Sequence, residues 1–298
     1  QYLYIIGYLL LAAAIQLFTG NCPVAFFAFP LSAILSVFWM SILWIAFRDY
    51  RNKKFTKFLL MPQTSIWCIA LFICGCLVIG LFPQLNPEEA EIHKGILSLL
   101  GCYNFMTSWI FIALLLLLLS NLGMVIIHRC HSHKPHKWYF ILNHVGLWLA
   151  LFAGFIGSSD TNILRLPVYK ETATNEAFDS QGVIYYLDYE IELDSFAVYY
   201  YPNGNPSNFT AHVVIGKDKA LLTVNHPYAY RWGEDVYLTG YDTLKGNTGK
   251  YCILQIVKQP WKYVLATGIL MMIAGAILLF INKPKTRIKK HQTNDKLG

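Results

Sequence analysis

The chain has 298 residues, 55% of them apolar and 14% charged, with a mean hydropathy of +0.41. Water-soluble globular proteins carry about 25% charged residues, so a soluble enzyme is a poor match. The net charge of +7 is segregated: residues 160–258 hold 8 basic and 12 acidic side chains, and the remainder holds 16 basic and 5 acidic, a pattern expected of a membrane protein and not of a nucleic-acid binder.

A hydrocarbon layer about 30 Å thick needs about 20 apolar residues in helix. Six segments approach or meet that length: Tyr2 to Phe18, Val24 to Phe47, Ile66 to Phe82, Met106 to Ile127, Trp138 to Ser158 and Tyr263 to Ile281. Before the first, Gln1 to Ile6 has no basic stretch or small-residue cleavage site, so no signal peptide is read there. Basic residues gather in Arg48 to Lys54, in Arg129 to Lys137 and in the tail from Lys283 to Lys290, whereas Glu88, Glu89 and Glu91 fall in an alternate connection. With six spans, all three basic segments lie on one side, which places both termini in the cytoplasm.

Between the fifth and sixth spans, residues 159–260 change texture and become rich in Tyr, Val, Ile and Asp. Alternation in Val183 to Leu193, Thr210 to Ile215, Ala220 to Val224, Asp235 to Tyr241 and Tyr251 to Val257 predicts five or more strands. Gly246-Asn247-Thr248-Gly249 reads as a hairpin between the last two. The expected architecture is an α-helical polytopic membrane protein of about six spans with one extracytoplasmic β-rich domain inserted before the last span. It divides into 1–103 (three spans and an outer loop), 104–158 (paired spans), 159–260 (β domain) and 261–298 (last span and basic tail).

His144, six residues into the fifth span, is the informative polar residue, because polar groups at membrane depth are costly and often functional. At 100° per residue, Leu147, Trp148, Leu151 and Phe155 share its face, and Gly146, Ala150, Ala153, Gly154 and Gly157 gather on the other. The small face suits close packing on another helix. The bulky face leaves two readings of the histidine: a ligand to a flat apolar cofactor such as haem, or a ring that hydrogen-bonds a nearby carbonyl or reaches for the interface.

His128, His131, His133 and His136, with Cys130, match no standard metal spacing and read as a basic loop, and His93, His212 and His226 read as surface or turn residues. Seven cysteines, odd in number and without a CxxC pair, do not make a disulfide framework or zinc ribbon. Cys22 and Cys102 both fall toward the outer side, which keeps a membrane thiol oxidoreductase as an alternative. A cofactor-free membrane receptor or chaperone for a periplasmic protein is another.

Three blocks in order resemble the ResB (CcsB) family of system II cytochrome c biogenesis, in its version extended at the N-terminus. They are Lys137-Trp138-Tyr139-Phe140-Ile141-Leu142-Asn143-His144 running to Asp160, Val224-Asn225-His226-Pro227 running to Asp242, and Gln255 to Trp261 before the last span. The resemblance implies a non-catalytic subunit of a haem lyase (holocytochrome c synthase) complex in the bacterial cytoplasmic (inner) membrane. Its partners would be a ResC/CcsA-type membrane subunit, apocytochrome c, a thiol-reducing periplasmic protein and membrane lipid. It implies haem b held by His144, with Leu147, Trp148 and Leu151 beside it and a second ligand from another polypeptide.

Overall fold

The computed structural model describes residues 2–85, 89–90, 93, 95–131, 138–246 and 249–282. Six helices are long and apolar enough to cross a membrane: α1 (Tyr2–Thr19), α2 (Leu31–Asp49), α4 (Pro62–Leu81), α6 (Trp109–Cys130), α7 (Trp138–Ser159) and α8 (Lys262–Ile281). Two short helices, α3 (Lys54–Leu59) and α5 (Ile96–Leu99), lie in connections. The second long helix starts at Leu31, seven residues later than the sequence suggests. Pro23 and Pro30 bracket a separate 3-10 turn, Val24–Phe27, and the residue before a proline is steered away from helical backbone.

Helix α6 is the hub, touching α1, α2, α3, α4 and α7, and it is the most buried of the long helices. Asn121 on α6 donates to the Leu59 carbonyl at 2.6 Å, and Gln16 on α1 accepts from the Trp109 amide at 2.9 Å. Both buried amides are thereby satisfied within the bundle, as their burial demands.

Helices α7 and α8 form the closest pair. The glycines and alanines expected to pack do so: a Cβ on Gly146 would lie 2.4 Å from the Met272 nitrogen, and one on Gly268 would lie 2.6 Å from the Ala150 nitrogen. Only glycine permits such backbone approach. Asn143 adds a bond from Nδ2 to the Met272 carbonyl at 2.9 Å.

The insert is one eight-stranded antiparallel sheet: β1 (Asn162–Tyr169), β2 (Thr174–Phe178), β3 (Ile184–Tyr200), β4 (Pro206–Ile215), β5 (Asp218–Thr223), β6 (Tyr228–Arg231), β7 (Glu234–Tyr241) and β8 (Tyr251–Lys258). Their order is β5-β4-β3-β2-β1-β8-β7-β6, and the end strand β5 also touches β6 and β7, so the sheet curls nearly into a barrel. Leu166, Val168, Ile191, Ile215, Leu222 and Leu254 fill its interior, each from the inward phase of its strand. The β7–β8 pairing agrees with the expected hairpin, although Asn247 and Thr248 lie outside the described residues.

The sheet is tied to the bundle at the two points where the chain enters and leaves it. Asp160 accepts from the Phe29 amide and from Trp261 Nε1, each at 2.7 Å. Lys262 at the start of α8 reaches both oxygens of Asp235 at 2.6 Å. These charge-assisted contacts join α7, α8, the α1–α2 connection and β7.

Candidate functional site

His144 stands about four turns from the sheet end of α7, near the opposite end of the bundle. Its Nδ1 lies 2.8 Å from the Phe140 carbonyl, and its ring stacks on that of Phe140 at 3.8 Å between centroids. A carbonyl only accepts, so Nδ1 carries the proton and Nε2 keeps its lone pair. Among the described residues this is the only hydrogen bond of the ring. The two readings of His144 therefore fall on different nitrogens: one is spent on the helix backbone, and the other makes no hydrogen bond among the described residues, as a metal ligand's nitrogen would be kept when its ring is oriented by a carbonyl.

The neighbouring residues divide. Trp148 is 8% exposed, donates from Nε1 to the Leu119 carbonyl at 3.1 Å, and stacks with Trp39 and Phe152. An indole N–H at this depth needs an acceptor, and Gly123, whose added Cβ would lie 3.4 Å from Nε1, lets the ring approach α6. Trp148 thus belongs to the contact of α7 with α2 and α6. Leu147 and Leu151 are half-buried against the same cluster. A haem on this chain fits only in part: one nitrogen and apolar neighbours are present, without a second histidine on α7.

The described histidines of the connections make their contacts with other residues. His131 bonds the Ile127 carbonyl through Nδ1 at 2.9 Å and packs on Trp44 and Phe47, His128 lies against Phe47 and Arg51, and His93 stacks on Tyr103. His133 and His136, like the basic tail from Lys283 and the acidic Glu88 and Glu91, lie outside the described residues. No group of metal-ligating side chains occurs among the described residues. Cys22 and Cys102 are both buried, and burial pushes both thiols up. Reactive thiols are shifted the other way. Cys252, inside the sheet, is pushed up to about 12 by burial.

On the sheet, a polar cluster escaped the sequence reading. Tyr189 donates to the buried carboxylate of Glu234, which Lys258 approaches at 3.7 Å. Arg231 pairs with Asp188 at 2.5 Å and lies over the rings of Tyr189 and Tyr230. The hydrogen bond from Arg231 holds the Asp188 carboxyl below its usual range. Gly233 takes a left-handed φ of +72° and packs where a Cβ would meet Gln259 and Pro260, so the turn carrying Arg231 and Glu234 is pressed onto the exit toward α8.

Six helices long and apolar enough to cross a membrane, with a curled sheet inserted between the last two, define a helical protein with a single β domain. Residues 134–251, which take in α7 and most of the sheet, match the model of the ResB-like family. A solved structure titled cytochrome c heme lyase CcmF is similar at 9% identity and a TM-score of 0.38, covering 86% of this chain and 46% of that one. The chain thus spans less than half the length of that protein. No curated protein matches the chain.

Proposed function

We propose that this protein is a subunit of a system II cytochrome c maturation complex that helps carry haem b across the bacterial cytoplasmic membrane and present it, or apocytochrome c, for thioether attachment. The observation that carries the reading is the match to the ResB-like family model over residues 134–251, which takes in His144 and most of the sheet. In this reading the six apolar helices span the inner membrane, the termini are cytoplasmic, and the sheet lies outside. The acidic balance of the sheet against the basic connections supports that orientation.

Haem is the cargo, and its contribution is the vinyl groups that receive the apocytochrome thiols. The chain's own part is to hold and orient. His144 offers Nε2 to the iron, with Nδ1–H fixed by the Phe140 carbonyl so that tautomer and ring direction are set in advance. Leu147 and Leu151 give the plane an apolar wall, and Trp148, bonded to α6, braces α7 behind them. A second histidine would come from a ResC/CcsA-type partner, and a thiol-reducing periplasmic protein would keep the apocytochrome cysteines free. The upward-shifted Cys22 and Cys102 thiols favour this non-catalytic role over thiol exchange.

The test is an absorption spectrum of the complex purified with its partner. A haem Soret band is expected for the wild type and a band reduced several-fold for His144→Ala at equal protein yield. An unaltered band in the variant would return His144 to a purely structural role.

A further inference from the structure

A cavity of about 400 Å³ lies between α2, α6 and α7, at the end of the bundle nearest the sheet. Its walls are apolar, and Phe27, Trp39, Ile112, Leu116, Phe152 and Phe155 are among them. His144 is not among the lining residues, and Phe152 is about 12 Å further along the helix. The cavity is therefore separate from the haem reading and does not depend on it.

Two of the lining residues carry a polar atom that is buried without a partner among the described residues, Ser32 Oγ and Trp109 Nε1. Ser32 is only 3% exposed. Such orphans are uncommon in folded chains, since each loses its bond to water without gaining another. Both lie at one end of the cavity, because Ser32 is the second residue of α2 and Trp109 the first of α6. Ser158 and Ser159, at the last turn of α7, line the same end, but their hydroxyls are spent on the Phe155 and Ile156 carbonyls. Toward the other end only apolar side chains such as Ile42 and Leu119 line the space.

An indole N–H only donates, and a serine hydroxyl can donate, so the missing partner is an acceptor. None of the residues lining the cavity is charged, which disfavours a phosphate or a carboxylate and favours a neutral carbonyl. Leu35, Phe38 and Ile42 line the cavity and are also exposed on the flank of α2, so the way in runs across an apolar surface.

We propose that this cavity binds a membrane-soluble amphipath whose neutral carbonyl accepts from Ser32 Oγ–H and Trp109 Nε1–H while its apolar body lies along Trp39, Phe152 and Leu116. Two sources supply that chemistry, an isoprenoid quinone and the ester region of a phospholipid.

The full chain in nanodiscs is incubated with decylubiquinone, and bound quinone is measured by extraction and chromatography. In parallel, dioleoylphosphatidylglycerol retained through delipidation is measured by native mass spectrometry. Ser32→Ala removes one donor at nearly constant shape, Trp109→Phe removes the other together with part of the ring, and each should weaken the bound probe at least two- to tenfold, the range of one neutral hydrogen bond. Ser36→Phe places a ring in the cavity and should abolish binding, and Ile277→Ala on the exposed flank of α8 should leave it unchanged. Saturable quinone binding with this pattern identifies a quinone, and retained phospholipid with this pattern identifies the ester lipid. If neither probe responds to Ser32→Ala and Trp109→Phe in protein of wild-type circular dichroism and elution, the proposal is overturned, whether or not Ser36→Phe folds.

Discussion

The contact of α7 with α8 is the closest helix pair of the bundle, and Gly146→Ala perturbs it with a single methyl group. The added Cβ would lie 2.4 Å from the Met272 nitrogen, 2.6 Å from the Gly268 oxygen and 2.9 Å from the Met271 carbonyl carbon. All three are backbone atoms, so no side chain can swing aside. Restoring ordinary separations moves α8 outward by about 1 Å, and dispersion contacts weaken by a quarter to a half over such a gap. Overpacking of this kind costs about 1–3 kcal/mol, and the Asn143–Met272 bond is stretched as well. Alanine regains about 1 kcal/mol of helix propensity over glycine, so the net destabilisation, with the weakened bond counted, is about 1–2 kcal/mol. Gly154→Ala is the matched control: its Cβ would meet only Leu265 Cδ1 at 4.0 Å, and the propensity gain stands alone. Reversible unfolding in mixed micelles should separate the two variants by about 2–3 kcal/mol, with Gly154→Ala the more stable. Equal stabilities would mean that the close approach of the two backbones is not a determinant of the fold.

Asp160→Ala removes the acceptor shared by Phe29 and Trp261; faster hydrogen exchange at the Phe29 amide and a shifted Trp261 emission are expected, at a cost of about 2–4 kcal/mol for two bonds to a carboxylate. Tyr189→Phe leaves the buried Glu234 carboxylate with Lys258 alone at 3.7 Å and should destabilise the full chain by about 1–3 kcal/mol in denaturant unfolding. Burial first, and then the Glu234 carboxylate, raises the Tyr189 phenol above its usual range. The wild-type advantage over Tyr189→Phe should therefore be complete below about pH 10 and shrink above it, as the unfolded phenol loses its proton first. Changing Cys22 and Cys102 together to Ser should leave cytochrome c maturation intact in a complementation assay; a loss restored by neither reductant nor oxidant would assign those thiols a chemical role.

Much of the fold was legible because its signals are local. Runs of apolar residues mark all six long helices, and alternation marks the inward phases of β4, β5, β7 and β8. Three strands escaped. β1 contains Pro167, which argues against a central strand; its pairing with β2 is confined to Arg165 and Phe178, so Pro167 sits where the ladder is one-sided. β2 and β6 are too short to show a period. β3 runs on to Tyr200 because a bulge between Leu193 and Ser195 resets the alternation.

The candidate site was legible only in part for a different reason. His144 declares itself as a polar residue in an apolar run, and the small face of α7 declares a close helix contact. That Trp148 turns to the Leu119 carbonyl depends on Gly123 of another helix, which no pattern within α7 contains. The orphaned Ser32 and Trp109 come together from helices far apart in sequence, and neither carries a local signal.

The central claim is that Nε2 of His144 binds haem iron, and imidazole rescue tests it most directly. His144→Ala complex purified with its partner is titrated with imidazole while the visible spectrum is recorded. The account predicts a weak or altered haem spectrum that returns toward the wild-type form and saturates as imidazole occupies the vacated ligand position. A wild-type spectrum before any imidazole is added, or an altered one that imidazole never changes, would contradict it.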